Sequence, residues 1–467
     1  MNDINQWLAD PRHHRCILVE LQYRDEGEIK TAHVANTPFR SGASDSPAHM
    51  PYDDVIAGGL EIARSMSEVF SGRSSTQLSS LELYLNDDTR RFKEVNALPV
   101  TIYMGDPTWA KSDFVTVFTG ICEDVTFSSS RVSISFAEKA TSLDIPVLSE
   151  HFTNGPSKGR PKPLALGECF NVTPVLIDAV NHVYQFNSTP SQAVTAVRFN
   201  GDEVSSSDYS VDLSASTITF SVQPIGSVTA DVKGVVDGHY LATAADFISY
   251  LLGLRGESVL LGSLASYTLG LYITDAEMTY SQALDEVAKS IGAYWYFNRL
   301  GQFTCASFRG FSGAPVDVLR DDQNIYDSRA PRARLNAVQR LSLSYGRNYT
   351  ELSNIAASVL DTNAELAQRL QLKARLATGE NTNQGDRLTV DTLIAHESDA
   401  NTELARRLAL KTQAHYIYET EQFAAPFSWI LGDEVALETP GINGNAAVIT
   451  HLTESLLTSR TIVEFWQ

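Results

Sequence analysis

The residue types that could carry chemistry are present, but their spacing does not suit it. "RHHR", Arg12 to Arg15, sets two imidazoles side by side, as a metal or phosphate site would require. In a strand, adjacent side chains point to opposite faces, so His13 and His14 could not chelate one ion from regular β structure. A surface role is the plainer reading. "NDD" (Asn86 to Asp88) and "RDD" (Arg320 to Asp322) offer carboxylates for calcium. Neither continues into calcium-loop spacing, and turns favour the same residues. Acidic pairs for glycoside hydrolysis abound in so acidic a chain, so they discriminate nothing. No GxSxG, HExxH or P-loop phrase occurs. Cys16, Cys122, Cys169 and Cys305 lie far apart, in no CxxC pair and near no His at zinc spacing. They predict buried free thiols in a reducing compartment. The expectation is a non-enzymatic protein with no metal and no cofactor.

The aromatic run Tyr294, Trp295, Tyr296 and Phe297 has three readings: a carbohydrate or receptor platform, core packing, or a contact between subunits. Strand alternation predicts that two of the four are buried and two exposed. With Phe465 and Trp466 near the end of the chain, Tyr294, Trp295 and Tyr296 are the candidate interaction residues.

Composition narrows the partners. The chain has 467 residues, enough for about three domains at roughly 150 residues each. Its 36 Lys and Arg against 56 Asp and Glu leave a formal charge of -20. No basic block is present that could displace counterions from nucleic acid, so specific DNA or RNA binding is not expected. The opening "MNDINQWLADPRHHRC" is polar and does not read as a signal peptide. The apolar stretch from Val259 to Ile273 is interrupted by Gly, Ser and Thr and is shorter than the ~20 residues a bilayer requires. No membrane span is expected.

Along the chain, "CILVELQY" and "IKTAHVAN" alternate around "RDEGE", predicting a hairpin turned at Gly27. Val132, Ile134 and Phe136 share one face of "RVSISF", and Ser133 and Ser135 the other. Residues 1–148 therefore read as an all-β domain, a small barrel. From His151 to Asp178, Pro156, Pro161, Pro163 and Pro174 alternate with Gly155, Gly159 and Gly167, reading as a crossing linker. Short strands over 170–236 predict a small β-sandwich or extended β module, which closes the 149–236 region. The period then changes. Thr243 and Thr279 are candidate N-caps of helices whose apolar stripes include Phe247, Leu251, Leu284 and Val287, with Gly292 as a stop. A tight aromatic hairpin turned at "NRLG" follows, giving an α+β module over 237–330. In 331–467, "NAELAQRLQLK" and "NTELARRLALK" agree at eight of eleven positions and predict two similar helix starts, at Asn363 and Asn401.

The closing phrase has an echo. "SRVSISF" (Ser130 to Phe136) and "SRTIVEF" (Ser459 to Phe465) each start with Ser-Arg and place Phe six residues after the Ser. Upstream, "LPVTIYMG" and "DEVALETPG" occupy comparable places. Two readings stay open: convergence of short strand sequences, or two homologous β domains that bracket the chain.

Three segments carry a family resemblance: "GRPKPLALGECFNVTPVLID", "SQALDEVAKSIGAYWYFNRLGQFTCASF" and the terminal "LGDEVALETPG…VITHLTESLLTSRTIVEFW". In these the chain resembles the baseplate or tail-tip hub proteins of tailed phages and phage-derived particles. They cover about a fifth of the chain, and none is a catalytic signature. The resemblance implies a mainly β fold with an α+β insertion. In it, two small tail-tube-like β-barrel domains, 1–148 and 331–467, bracket the β module and the helix-plus-hairpin module. It also implies a homotrimeric ring at the distal end of the virion tail, from protein made in the host cytoplasm. Its expected partners are itself, a distal tail or tube protein, a tape-measure protein and a central spike or tip protein, with DNA crossing the lumen unbound. The rival expectations are a peripheral receptor- or carbohydrate-binding tail protein and a polysaccharide-degrading tail enzyme.

Overall fold

A computed structural model describes residues 4–467 other than 9, 11, 68, 328–329, 383, 424–426 and 439–445. The chain is mainly β, and among the described residues its helices of eight residues or more lie between Ala244 and Leu410. Its first sheet has nine strands, all drawn from residues 16–137. The opening hairpin joins Cys16–Asp25 to Glu28–Ala35 through Glu26 and Gly27, both with positive φ, a turn that glycine makes easy. Val132, Ile134 and Phe136 face a core that also contains Ile17, Leu21 and Ile102. Pro51–Asp54 and Ile56–Gly59, the strands at either side of this path, meet at Val55, whose N–H donates to the Ala35 carbonyl at 3.1 Å and whose carbonyl accepts from Tyr84 N–H at 2.8 Å, so the path of strands returns on itself.

The next module is two-layered. Strands Ser191–Phe199, Val228–Asp237 and Leu164–Val172 lie side by side in one sheet, and Val175–Asp178, Val183–Gln185, Thr217–Phe220 and Tyr209–Asp212 form a second. Between them Cys169, Val172, Phe186, Val197, Ile218 and Val232 form a shared core. Leu164–Val172, expected within the linker, is instead an interior strand, buried almost throughout. Pro161 and Pro163 stop just short of it, so no missing N–H interrupts its ladder.

Two helices follow, Ala244–Gly253 and Tyr280–Ser290. Each opens with a reciprocal capping box, Thr243 with Asp246 and Thr279 with Gln282. Gly292 ends the second at φ +57. Their apolar faces share a core with Trp295 and Phe303. That core also takes in Val338, Leu341, Leu343, Ala377, Leu393 and Leu404. Residues 338–345 and 393–404 therefore reach the central core, while Leu352, Ile355, Val359, Ala367 and Leu370 between them form a separate cluster with Phe170. A buried carboxylate fixes this arrangement. Glu403 accepts from Arg406 Nη2 and Arg407 Nε, each at 2.6 Å, while Arg407 Nη2 donates to the Lys289 and Ser290 carbonyls that end the second helix. Asn363 caps its helix as expected, its side-chain oxygen accepting from the Leu366 N–H at 3.1 Å. Asn401 does not: its helix, Glu397–Leu410, starts a turn earlier, where Glu397 and Asp399 suit the positive end of the helix dipole.

Candidate functional site: a repeated strand quartet and its seam

The echo seen in the sequence is a shared topology. Leu81–Tyr84, Pro99–Gly105, Val115–Phe127 and Arg131–Ala137 follow one another in the chain; in the sheet the last three are adjacent and the first lies beyond the fourth. His415–Phe423, Glu434–Leu437, Ala446–Ser455 and Arg460–Trp466 repeat that order, again with every pairing antiparallel. The registers agree as well. Phe136 lies opposite Cys122 and Phe465 opposite Ile449. Pro99 and Val100 face Ile121 and Gly120 as Glu434 and Val435 face Val448 and Ala447.

A bulge marks the same place in both. After Cys122 one residue is skipped, so Ser135 faces Asp124; after Ile449 one is skipped, so Glu464 faces His451. An extra residue reverses the alternation, so core-facing positions there are three apart rather than two. Accordingly Cys122 and Val125 face the first core, and Ile449 and Leu452 the second. The flanks match on one side only. An antiparallel strand covers 81–84 and another covers 415–423, but 99–105 takes an antiparallel neighbour where 434–437 takes the parallel strand Asp317–Leu319.

The two sheets are joined by a hairpin. Glu61–Ser65, paired to Ser75–Leu78, leaves the first half and lies antiparallel along 451–455 of the second, with Arg64 opposite Leu452. At this seam Arg64 Nη2 donates to Glu454 Oε2 at 2.6 Å and Nη1 to the Trp429 carbonyl at 2.9 Å. The indole N–H of Trp429 in turn donates to Asp317 Oδ2 at 2.9 Å. Phe427 and Leu456 of the closing segment sit in the first core. Sequence reasoning missed Arg64 and Glu454, because no local pattern links positions so far apart.

All five candidate interaction residues are buried within the chain. Tyr294 and Tyr296 pack with Met66, Ile417, Leu431, Val448 and Trp466; Trp295 and Phe297 face the central helices; Phe465 lies in the closing core. The exposed pair predicted by alternation is therefore absent. Ala293–Phe297 is an interior strand between Phe303–Ser307 and Gly72–Arg73, and both of its faces are covered. The polar atoms of this strand are used too. Tyr294 O–H donates to the Leu431 carbonyl at 2.7 Å, and burial holds its phenol well above the usual range. Asp285 Oδ1 accepts from Trp295 Nε1 at 2.9 Å and from Arg73 N–H at 2.7 Å. The aromatic strand is thus the partition between the central core and the closing sheet.

The remaining chemical candidates are accounted for by local structure. His13 stacks on Trp7, and Asn86 Oδ1 accepts from the backbone N–H groups of Asp88 and Thr89 as a turn. The four cysteines are free and buried, and burial pushes the Cys16, Cys122 and Cys305 thiols up to about 12. Among the described residues no group of three or more His, Cys, Asp or Glu is placed to hold a metal, and no helix is long and apolar enough to cross a membrane.

No family model matches the chain, nor does any curated protein sequence. Among solved structures, the tail protein from Neisseria meningitidis MC58 is similar over 97% of this chain and 97% of that one, at 10% identity and a TM-score of 0.44. Prophage tail protein gp18 from Listeria monocytogenes EGD-e is similar over 96% and 94%, at 8% identity and 0.44. A chain of the virion of a native gene transfer agent particle is similar over 68% and 86%, at 13% identity and 0.46. Similarity this shallow assigns neither family nor activity, so the functional reading rests on the chain's own sheets.

Proposed function

We propose that this chain is a non-enzymatic structural protein of a phage tail or phage-derived particle. It forms a homotrimeric ring at the distal end that closes the tube and attaches a central spike or tip protein. The observation that carries this reading is the repeated quartet with its shared bulge. Two like sheets per subunit let three subunits present six similar surfaces, which adapts a threefold tip to a sixfold tube. In this reading the sheet of residues 16–137 and the closing sheet are the two tube-like parts, and the modules between them form a collar. The formal charge of -20 supports the passage of DNA through the ring, because an anionic lumen does not hold phosphate. The stabilising force is burial of apolar surface across a permanent interface, commonly more than ~2,000 Å² in such assemblies. Mass photometry of the purified chain, with and without tail partners, tests the proposal. Particles of three subunit masses with a central hole in electron micrographs are expected. A species that stays monomeric with its partners present overturns it.

A further inference from the structure

A cleft of about 470 Å³ lies where the seam hairpin, the C-terminal ends of helices Tyr280–Ser290 and Glu397–Leu410 and the closing strand meet. Part of its wall is aromatic. Phe70, from the loop of that hairpin, stacks on Phe308 at 4.6 Å between centroids, and Phe308 meets Trp466 edge-on at 5.4 Å. Val338, Leu341 and Leu388 add aliphatic lining. A concave site of this size with mostly apolar walls suits a small molecule, and its few polar groups decide which one.

The charged groups of the cleft run against the acidity of the chain. Lys289, Arg406, Arg407 and Lys411 line it, and the exposed Asp386 is the one carboxylate among its described lining residues. The two guanidinium groups share a single carboxylate, that of the buried Glu403. Among the described residues, neither Lys289 nor Lys411 forms an ion pair with a carboxylate. Lys411 weighs more, because it is half-buried whereas Lys289 is exposed. A helix C-terminus attracts a cation, yet burial, and after it Arg407, still lower the Lys411 pKa. An ammonium withdrawn from water without a counter-ion carries a cost that an incoming anion removes.

We propose that this cleft binds an amphipathic carboxylate, with its hydrocarbon body against Phe70, Phe308 and Trp466 and its carboxylate at Lys411. A polyanion such as nucleic acid does not suit the site, because its cationic groups are few and the whole chain carries a formal charge of -20. A neutral apolar molecule would fill the walls but leave Lys411 without a partner. The cleft is formed within one chain, so its occupancy does not depend on how many copies assemble. Because the seam hairpin, the central helices and the closing strand all line it, a bound molecule ties these three parts together. Binding of that kind stabilises the folded chain in proportion to ligand occupancy.

The test is isothermal titration of the full-length chain with octanoate, and with octanol as its uncharged counterpart. One octanoate per chain is expected, bound about tenfold or more tightly than octanol. The melting temperature should rise with octanoate concentration. Lys411→Met should abolish the preference for octanoate and leave octanol binding unchanged. It should melt no lower than the parent, since it removes an unpaired, half-buried charge. Leu388→Asp, at a position 37% exposed, should weaken the binding of both. Should a variant misfold, amide exchange on the unaltered protein decides: slower exchange at 69–71 and 386–390 with octanoate supports the site, and unchanged exchange overturns it. Absence of octanoate binding at about 1 mM, equal binding of octanoate and octanol, or full octanoate affinity in both variants each overturns the proposal.

Discussion

Arg64 and Glu454, 390 residues apart in the chain, form an ion pair 2.6 Å long with each side chain only 2% exposed. This contact ties the first half of the molecule to the second. A buried pair of this kind adds little over well-packed apolar residues, because desolvation offsets most of the Coulomb attraction. Losing one partner is a different matter, since the survivor is left charged and unpaired. Glu454→Ala is expected to cost roughly 3–5 kcal/mol, and a matched double replacement, Arg64→Met with Glu454→Leu, much less. Urea denaturation monitored on both sheets measures the difference.

Gly432 tests how closely the aromatic strand approaches the closing sheet. Its φ is +87, and a Cβ there would lie 2.1 Å from the Tyr294 hydroxyl oxygen. Gly432→Ala should therefore combine backbone strain with a steric clash, about 1–3 kcal/mol in all. Tyr294→Phe removes the clashing oxygen, so the two changes should couple: the alanine should cost less when Tyr294→Phe is already in place. Thermal melts of the four proteins in the cycle give the coupling, and strictly additive losses would contradict this packing.

The last strand is interior rather than terminal in character. Arg460–Trp466 lies between 446–455 and 415–423, and Val463, Phe465 and Trp466 are buried. Deleting residues 463–467 should leave insoluble or unassembled protein. The milder Trp466→Ala should cost roughly 3–5 kcal/mol, because the indole stacks on His415 at 4.1 Å between centroids and also meets Phe308 and Phe311. Soluble expression and melting temperature report both; a deletion variant that assembles normally would contradict the placement of this strand.

His415 also predicts a pH dependence. Burial lowers its pKa, and hydrogen bonds to the Gln467 and Leu410 backbone only partly oppose that. A histidine whose folded pKa lies below its unfolded value near 6.5 takes up protons on unfolding, so stability is lost as pH falls below about 6.5. His451, lowered by burial and then by Arg332, acts in the same direction. Melting temperature should decline on acidification from about pH 8 to 5, and His415→Phe, which keeps an aromatic ring against Trp466, should flatten that slope. An unchanged slope in the variant would remove His415 from the account.

Local chemistry in the sequence was enough to place many elements. Thr243 and Thr279 cap helices because their side chains satisfy N–H groups within three residues. Gly27 makes a turn because few residues adopt positive φ at little cost. The likeness of "SRVSISF" to "SRTIVEF" was visible as well, but not the shared bulge, which depends on which residues the partner strand aligns. Asn401 misled because a cap-like phrase can recur inside a helix that started earlier. Tyr294 to Phe297 misled because alternation assumes one wet face, and this strand has none.

The sequence by itself determined the mainly β character, the acidic balance of charge, the free thiols and the helix starts at Thr243, Thr279 and Asn363, since each follows from composition or from groups a few residues apart. Tertiary structure alone decided that 61–65 completes a sheet built at 446–455, that 338–345 and 393–404 join the central core, and that Leu352 to Leu370 pack instead on Phe170. Those outcomes depend on contacts between distant strands, and backbone pairing is nearly blind to side-chain identity, so no local pattern encodes them.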